Sequence, residues 1–273
     1  MARRIVRGAA IFAVLILFTL PLLYMVTGSL REPGGPPPRG LLQLEWPLTF
    51  SNFSTALDLA DLGRMAINST GVAAVTAGVS VLSASWAGFA IARAKPAARR
   101  RWVGLLLVML MVPAFALWVP RFFLFTRLGM VDTYVPLVAI GLIGVSPFNV
   151  LLCVWSFRRV PDDLWDAAEA EGASPIVSWW RVGLPLVRGT IVAVGVLSFA
   201  ASWGGLIEPL LYISDARRYT LPLGLRALQQ LGPTGWPLML AGACIATLPV
   251  VVVFALVQRR LVSAHRGAGW LGH

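Results

Sequence analysis

The sequence predicts an all-α polytopic membrane protein with six transmembrane helices, and three observations carry that expectation. Of 273 residues, 58% are hydrophobic and only 13% are charged, with a mean hydropathy of +0.77. A soluble globule of this size needs more polar residue than that to coat its surface. Charge-free stretches run between Arg7 and Arg31, Arg64 and Arg93, Arg101 and Arg121, Asp132 and Arg158, Arg188 and Glu208, and Arg226 and Arg259. A helix needs roughly 20 such residues to cross the hydrocarbon core, which gives six spans. The basic residues also alternate from gap to gap. With the N-terminus inside, the segments holding Arg3 to Arg7, Arg93 to Arg101, Arg158 to Arg188 and Arg259 to Arg266 contain 15 of the 23 Lys and Arg residues. Both termini are therefore expected in the cytoplasm, and the net charge of +11 reads as topology rather than as a nucleic-acid footprint.

The elements follow in order. Residues 1-30 form the inner N-terminus and first span. Arg3, Arg4 and Arg7 before the apolar run from Ala9 to Leu23 resemble a secretory signal, but the length of the run and the lack of a small-residue cleavage site favour a retained helix. Residues 31-64 form an external loop. Its Glu32 to Gly40 stretch (EPGGPPPRG) can neither continue a helix nor pair as a strand. Its later part, Trp46 to Arg64, mixes Ser51 and Asn52 with Phe53, Leu57 and Leu59, which suits a short helix on the outer membrane surface and equally an irregular loop.

Residues 65-260 form a five-helix core. Gly71, Ala73, Ala74, Ala77, Gly78, Ser83, Ala84, Ser85, Ala87 and Gly88 on the second span permit close approach of neighbouring helices. Pro113 and Pro120 in the third span, Pro136 and Pro147 in the fourth, and Pro237 and Pro249 in the sixth are each expected to remove a backbone donor and kink the helix. Residues 261-273 form a cytoplasmic tail. Cys153 and Cys244 sit in apolar stretches, and His265 and His273 sit in the tail without carboxylates beside them, so no metal site or disulfide is expected. Eleven tryptophans invite thoughts of stacking on a sugar, yet Trp46, Trp102, Trp236 and Trp270 lie near span ends, where indoles anchor helices.

The most informative stretch is the loop 158-188 between the fourth and fifth spans, RRVPDDLWDAAEAEGASPIVSWWRVGLPLVR. Pro161 suits a first helical position, Asp162 and Asp163 complement the helix dipole, and Gly172 suits a left-handed stop. Ser174 is placed to cap a second helix that begins at Pro175 and ends at Gly183 and Pro185. On the first helix Asp162, Asp166 and Glu169 form one stripe, while Leu164, Ala167 and Ala168 lie to the other side and are small enough to admit a close partner. Periodicity alone also fits a solvated helical hairpin.

The order of residues goes further. Pro161, Leu164, Asp166, Ala167, Ala168, Gly172, Ala173 and Pro185 follow the pattern of the EAA loop of ABC importer permeases. Asp166 stands where that family usually has Glu, and Glu171 where Asp is usual. Asn68-Ser69, the segment Tyr219 to Leu225 (YTLPLGL) and the ending from Gln258 to Gly269 resemble the maltose-type sugar permeases of the same family, so the resemblance covers roughly residues 9 to 269.

That resemblance implies a type I ABC importer permease fold in a bacterial inner membrane, with a sugar or oligosaccharide as cargo. It implies a second permease subunit of different sequence, a dimer of ATP-binding subunits that holds ATP and Mg, and an extracytoplasmic solute-binding protein. The ATPase-coupling residues it implies are Leu164, Asp166, Ala167, Ala168, Glu171, Gly172, Ala173 and Pro185. Independently, the chain contains no G-x-x-x-x-G-K-[ST] phosphate loop, and its one lysine, Lys95, follows Ala94 in a basic turn, so the chain is expected to be neither an ATPase nor a holder of any cofactor.

Polar groups placed for the pathway are Ser146, Asn149, Ser198, Ser202 and Trp203. Glu208 either contacts cargo or, near the outer end of the fifth span, reaches interfacial water or pairs with Arg217 or Arg218; the second reading is the better supported. A secondary transporter needs carboxylates deep in the membrane, and a membrane enzyme needs a convergent nucleophile, base or metal set; the spans offer neither.

Overall fold

The computed structural model describes residues 2–35, 47–59, 61–143, 146–229 and 235–268. The proline-rich part of the external loop and the end of the tail, Trp46, Trp270 and His273 included, lie outside the described residues. The elements are α1 (Ala2–Ser29), α2 (Ser51–Leu59), α3 (Leu62–Arg93), α4 (Pro96–Met111), α5 (Trp118–Arg127), α6 (Val135–Ile143), α7 (Pro147–Phe157), α8 (Asp162–Ala170), α9 (Pro175–Leu186), α10 (Arg188–Trp203), α11 (Ile207–Tyr212), α12 (Leu221–Gln229) and α13 (Trp236–Ala268). No strand occurs among the described residues. Four helical stretches are long and apolar enough to cross a membrane: Val6–Ser29, Leu62–Arg93, Val135–Phe157 and Trp236–Leu256. Two bent pairs, Pro96–Met111 with Ala114–Arg127 and Pro175–Leu186 with Arg188–Trp203, bring the count to six when each pair is one span. Leu105, Leu107, Val108 and Leu110 of α4 are exposed, as side chains solvated by lipid would be.

The chain divides into two compact units, Met1–Ile67 with Thr220–Val250 and Asn68–Tyr219 with Val251–His273. In the first unit residues Ser51–Leu59 form the helix α2 rather than an irregular loop. It is fixed there by Asn52, only 1% exposed, whose Nδ2 donates to the carbonyl oxygens of Ser29 at 2.8 Å and Arg31 at 2.6 Å. Carbonyls at a helix end have no intrahelical donor, and Asn52 supplies one to the end of α1. The second span begins at Leu62 rather than after Arg64.

In the second unit the core is built from Ala84, Phe89, Leu106, Val150, Leu151, Cys153, Val154, Phe157, Trp165, Val187 and Val194. Gly88 is where α3 meets α7: a Cβ there would strike the Cβ of Cys153 and lie 3.1 Å from backbone atoms of Cys153 and Val154.

The prolines divide by position. Pro113 breaks the third span, because the residue before a proline is driven out of the helical region; Val112 is extended and the chain turns by 91°. Pro147 likewise opens α7. Pro120, Pro136 and Pro237 produce no kink, contrary to expectation, because each falls in the first turn of its helix, where the N–H has no intrahelical partner to lose. Pro249 lies inside the continuous helix α13, as Pro21 does inside α1.

Candidate functional site

The loop 158-188 folds as two short helices, as its residues dictate. Pro161 occupies the cap position of α8 with extended backbone, one place earlier than expected, and Asp162 and Asp163 fill the first turn. Gly172 has φ +78°. The N–H of Gly172 reaches the carbonyl of Glu169 at 2.9 Å and the N–H of Ala173 that of Ala168 at 3.0 Å, the paired closure that ends a helix through a left-handed residue.

α9 departs from expectation twice. Ser174 stands at its N-cap position without a side-chain hydrogen bond. Gly183 and Pro185 do not end it, because residues Ser178–Gly183 form a π turn and the helical run continues to Leu186. The wider turn displaces the carbonyl that a proline ring four residues on would otherwise crowd. The run ends at Val187, where it bends by 87° into α10.

Sequence reasoning missed the residue that seats α8. Trp165 is 2% exposed and packs edge-on against Phe89, with ring centroids 5.4 Å apart, and against Phe157 at 6.4 Å. Gly183 leaves room for it: a Cβ there would stand 3.2 Å from the Trp165 ring and 2.9 Å from that of Phe157. On either side of Trp165 in the helix, Asp162 and Glu169 turn toward Arg93 at the end of α3, with N to O distances of 3.5 and 2.8 Å. The Arg93 guanidinium also lies over the Trp165 ring, 5.7 Å from its centroid. The expected acidic stripe therefore splits, because Trp165 sets the inward direction and leaves Asp166 exposed. Of the small side, Leu164 and Ala167 are exposed together with Glu171 and Gly172, whereas Ala168 and Ala173 are half-buried against the protein. Pro185 is exposed on α9.

Among the residues read as pathway lining, the structure joins Asn149 and Ser198: Asn149 Nδ2 donates to Ser198 Oγ at 3.0 Å, and both are buried. This bond ties α7 to α10, beside a second tie in which Thr190 Oγ1 donates to Ser156 Oγ at 2.8 Å. Trp203 is buried and stacked on Phe199, with centroids 5.9 Å apart. Ser146 and Ser202 are half-buried, at the start of α7 and the end of α10.

Glu208 is half-buried in the first turn of α11, and its expected ion pairs are not made there. Arg217 pairs with Asp215 at 3.1 Å and Arg218 with Asp132 at 3.1 Å, carboxylates held in the same turn region. Asp132, with φ +62°, also accepts from the backbone N–H groups of Ser214 and Asp215, each at 2.9 Å. Those two N–H groups, seconded by Arg218, hold its carboxyl below the usual carboxylate range. From the other side Asn68 Nδ2 donates to the carbonyls of Arg217 and Tyr219, each at 3.0 Å.

Comparison with known proteins agrees with the family and the fold that the sequence resembles. Residues 80–264 match the family profile of the binding-protein-dependent transport system inner membrane component. The arabinooligosaccharides transport system permease protein AraQ of Halalkalibacterium halodurans is 28% identical, over 94% of this chain and 91% of its own. The trehalose transport system permease protein SugB of Mycobacterium tuberculosis is 29% identical, over 89% of each chain. The lactose transport system permease protein LacG of Rhizobium radiobacter is 26% identical, over 80% of each. A crystal structure of a bacterial ABC transporter involved in the import of the acidic polysaccharide alginate shares the fold, with a TM-score of 0.80, 18% identity, and coverage of 94% of this chain and 96% of that one. These likenesses leave the secondary-transporter alternative without support. This chain belongs to the family of binding-protein-dependent transport system inner membrane components, the permease subunits of ABC importers.

Proposed function

We propose that this permease carries a sugar or oligosaccharide inward, forming half of the translocation pathway beside a second, different permease subunit. Energy comes from ATP hydrolysed with Mg on a separate pair of subunits that dock on the loop 158-188 at the cytoplasmic face, and cargo arrives from an extracytoplasmic binding protein. The observation that carries the docking reading is the division of α8: Trp165 is buried, while Leu164, Ala167 and Glu171 stand exposed on a helix closed at Gly172. An exposed apolar side chain beside small ones fits the floor of a partner's groove. The sugar cargo is supported by relatives named for arabinooligosaccharides, trehalose and lactose.

Motion follows from the two-state packing of such subunits: closure of the ATPase pair around ATP moves the docked helix, and the bent spans exchange inward-open for outward-open packing. Asn149, Ser198, Ser202, Trp203 and Glu208 are the polar groups proposed nearest the cargo route. The test is co-purification of the tagged chain under mild solubilisation. The expected result is retention of an ATPase and a second permease, with ATP hydrolysis accelerated by the accompanying binding protein when it is loaded with an oligosaccharide. Solute movement by the purified chain alone overturns the proposal.

A further inference from the structure

Arg93 is one of several basic residues at the inner end of α3 and the start of α4, and charge topology accounts for the group as a whole. It does not account for where Arg93 points. Its neighbour in the turn, Arg99, donates to the carbonyl of Ala92 and so serves the end of α3 itself. Arg93 instead crosses to α8, where Nη2 meets Glu169 Oε1 at 2.8 Å, Nη1 meets Asp162 Oδ1 at 3.5 Å, and the guanidinium carbon stands over the Trp165 ring, 5.7 Å from its centroid. Asp162, Trp165 and Glu169 lie at i, i+3 and i+7, one face of α8, so a single side chain spans two turns of that helix. The carboxylates are well exposed while the arginine side chain is 29% exposed, which leaves the ends of the bridge in water and its middle against the indole.

From this geometry we propose that Arg93 is a positioning residue: it holds α8 on the end of the second span at the rotation that turns Leu164, Ala167 and Glu171 outward to the ATPase. The proposal rests on the docking reading given above. Without Arg93, Trp165 is the one fully buried side chain of α8, and a single buried ring fixes the helix's place more firmly than its rotation about its own axis. The ATPase then meets a helix that presents the right face only part of the time. Apparent affinity falls by the fraction of time lost. Partly exposed ion pairs and a cation–π contact are each modest, so the expected weakening is about tenfold rather than complete.

The experiment uses the permease complex in nanodiscs and measures the affinity of the ATPase that co-purifies with it, titrated back after removal. Four variants are compared: Arg93→Gln, Arg93→Lys, the charge exchange Arg93→Glu with Glu169→Arg, and Ala167→Arg on the docking face. Arg93→Gln is expected to weaken binding about tenfold, and Arg93→Lys and the exchange to recover most of the loss, with thermal unfolding of the free permease unchanged among them. Ala167→Arg is expected to abolish binding. Full affinity in Arg93→Gln, or a loss that neither Lys nor the exchange repairs, overturns the positioning role. A parallel fall in unfolding temperature and affinity across the Arg93 variants also overturns it, since that is the mark of a merely structural contact. Full affinity in Ala167→Arg overturns the docking reading instead, so the two failures are told apart.

Discussion

At the scale of single residues, the small side chains of the second span divide according to what stands opposite them. Gly88 sits where a Cβ would strike Cys153 and the backbone of α7, while Gly71 and Gly78 have nothing within 4 Å of theirs. Gly88→Ala is expected to destabilise the permease by about 1–3 kcal/mol, the usual cost of forcing atoms into a packed seam. Cys153→Gly will not restore it fully, because two of the three nearest atoms are main-chain. Gly78→Ala is expected to be neutral or to stabilise by up to about 1 kcal/mol through helix propensity. Thermal unfolding of the chain in nanodiscs checks all three. Asp132 supports a second prediction. Its carboxyl is held below the ordinary carboxylate range, chiefly by the N–H groups of Asp215 and Ser214. A depressed folded-state pKa contributes stability above the unfolded value of about 3.9 and loses it as pH falls through the folded one. Amide exchange at Ser214 and Asp215, corrected for the intrinsic rate, should therefore stay slow from neutral pH down to about 4 and become faster below that. Asp132→Asn should show fast exchange at neutral pH.

At the scale of elements, α8 shows what the sequence disclosed and what it withheld. The start of the helix to within one residue of Pro161, the left-handed stop at Gly172 and the shared side of Leu164 and Ala167 were legible, because caps, glycine and helical spacing act locally. Trp165 was not. Between Leu164 and Asp166 it could be taken for one more residue of a solvated helix, and its burial depends on Phe89, Phe157 and the bare backbone of Gly183, all of them outside α8. The same limit hid the π turn. Gly183 and Pro185 are local stop signals, but this helix overrides them by widening one turn where Gly183 must pass under Trp165. Pro113 breaks its span as its sequence position predicts, whereas Pro120, Pro136 and Pro237 were misjudged, since each falls in the first turn of its helix. The element-level prediction is Trp165→Ala. Removing a buried indole costs about 3–5 kcal/mol when the cavity cannot collapse, and here that energy holds one short helix to the spans. Limited proteolysis should then cut within 162–172 at rates well above wild type, with the transmembrane helices still protected. Cleavage unchanged from wild type would show that α8 is held in place by something other than Trp165.

At the scale of the whole molecule, charge spacing predicts six spans but says nothing of their shapes. Four are continuous stretches of hydropathy, while the third and fifth reach the full count only as pairs bent by 91° and 87°. Hydropathy records where apolar residues lie along the chain and carries no information about direction at Val112 or Val187. Orientation, by contrast, is a whole-chain property that the sequence addresses and a fold does not, because a helical bundle can be inserted either way up. The excess of arginine in the segments around Arg3, Arg93, Arg158 and Arg259 predicts that they face the cytoplasm, and with them α8 and its exposed face. On that prediction the turn after α5, with Leu128 exposed at its start and Asp132 beyond, faces outward. Single cysteines at Leu128 and Ala170, both exposed positions, separate the two orientations. In intact cells a membrane-impermeant maleimide should modify Leu128→Cys and spare Ala170→Cys, and in inverted vesicles stripped of the ATPase the pattern should reverse. Labelling of Ala170→Cys from outside would put α8 beyond the reach of any cytoplasmic ATPase, and the coupling mechanism would fall whatever the loop resembles.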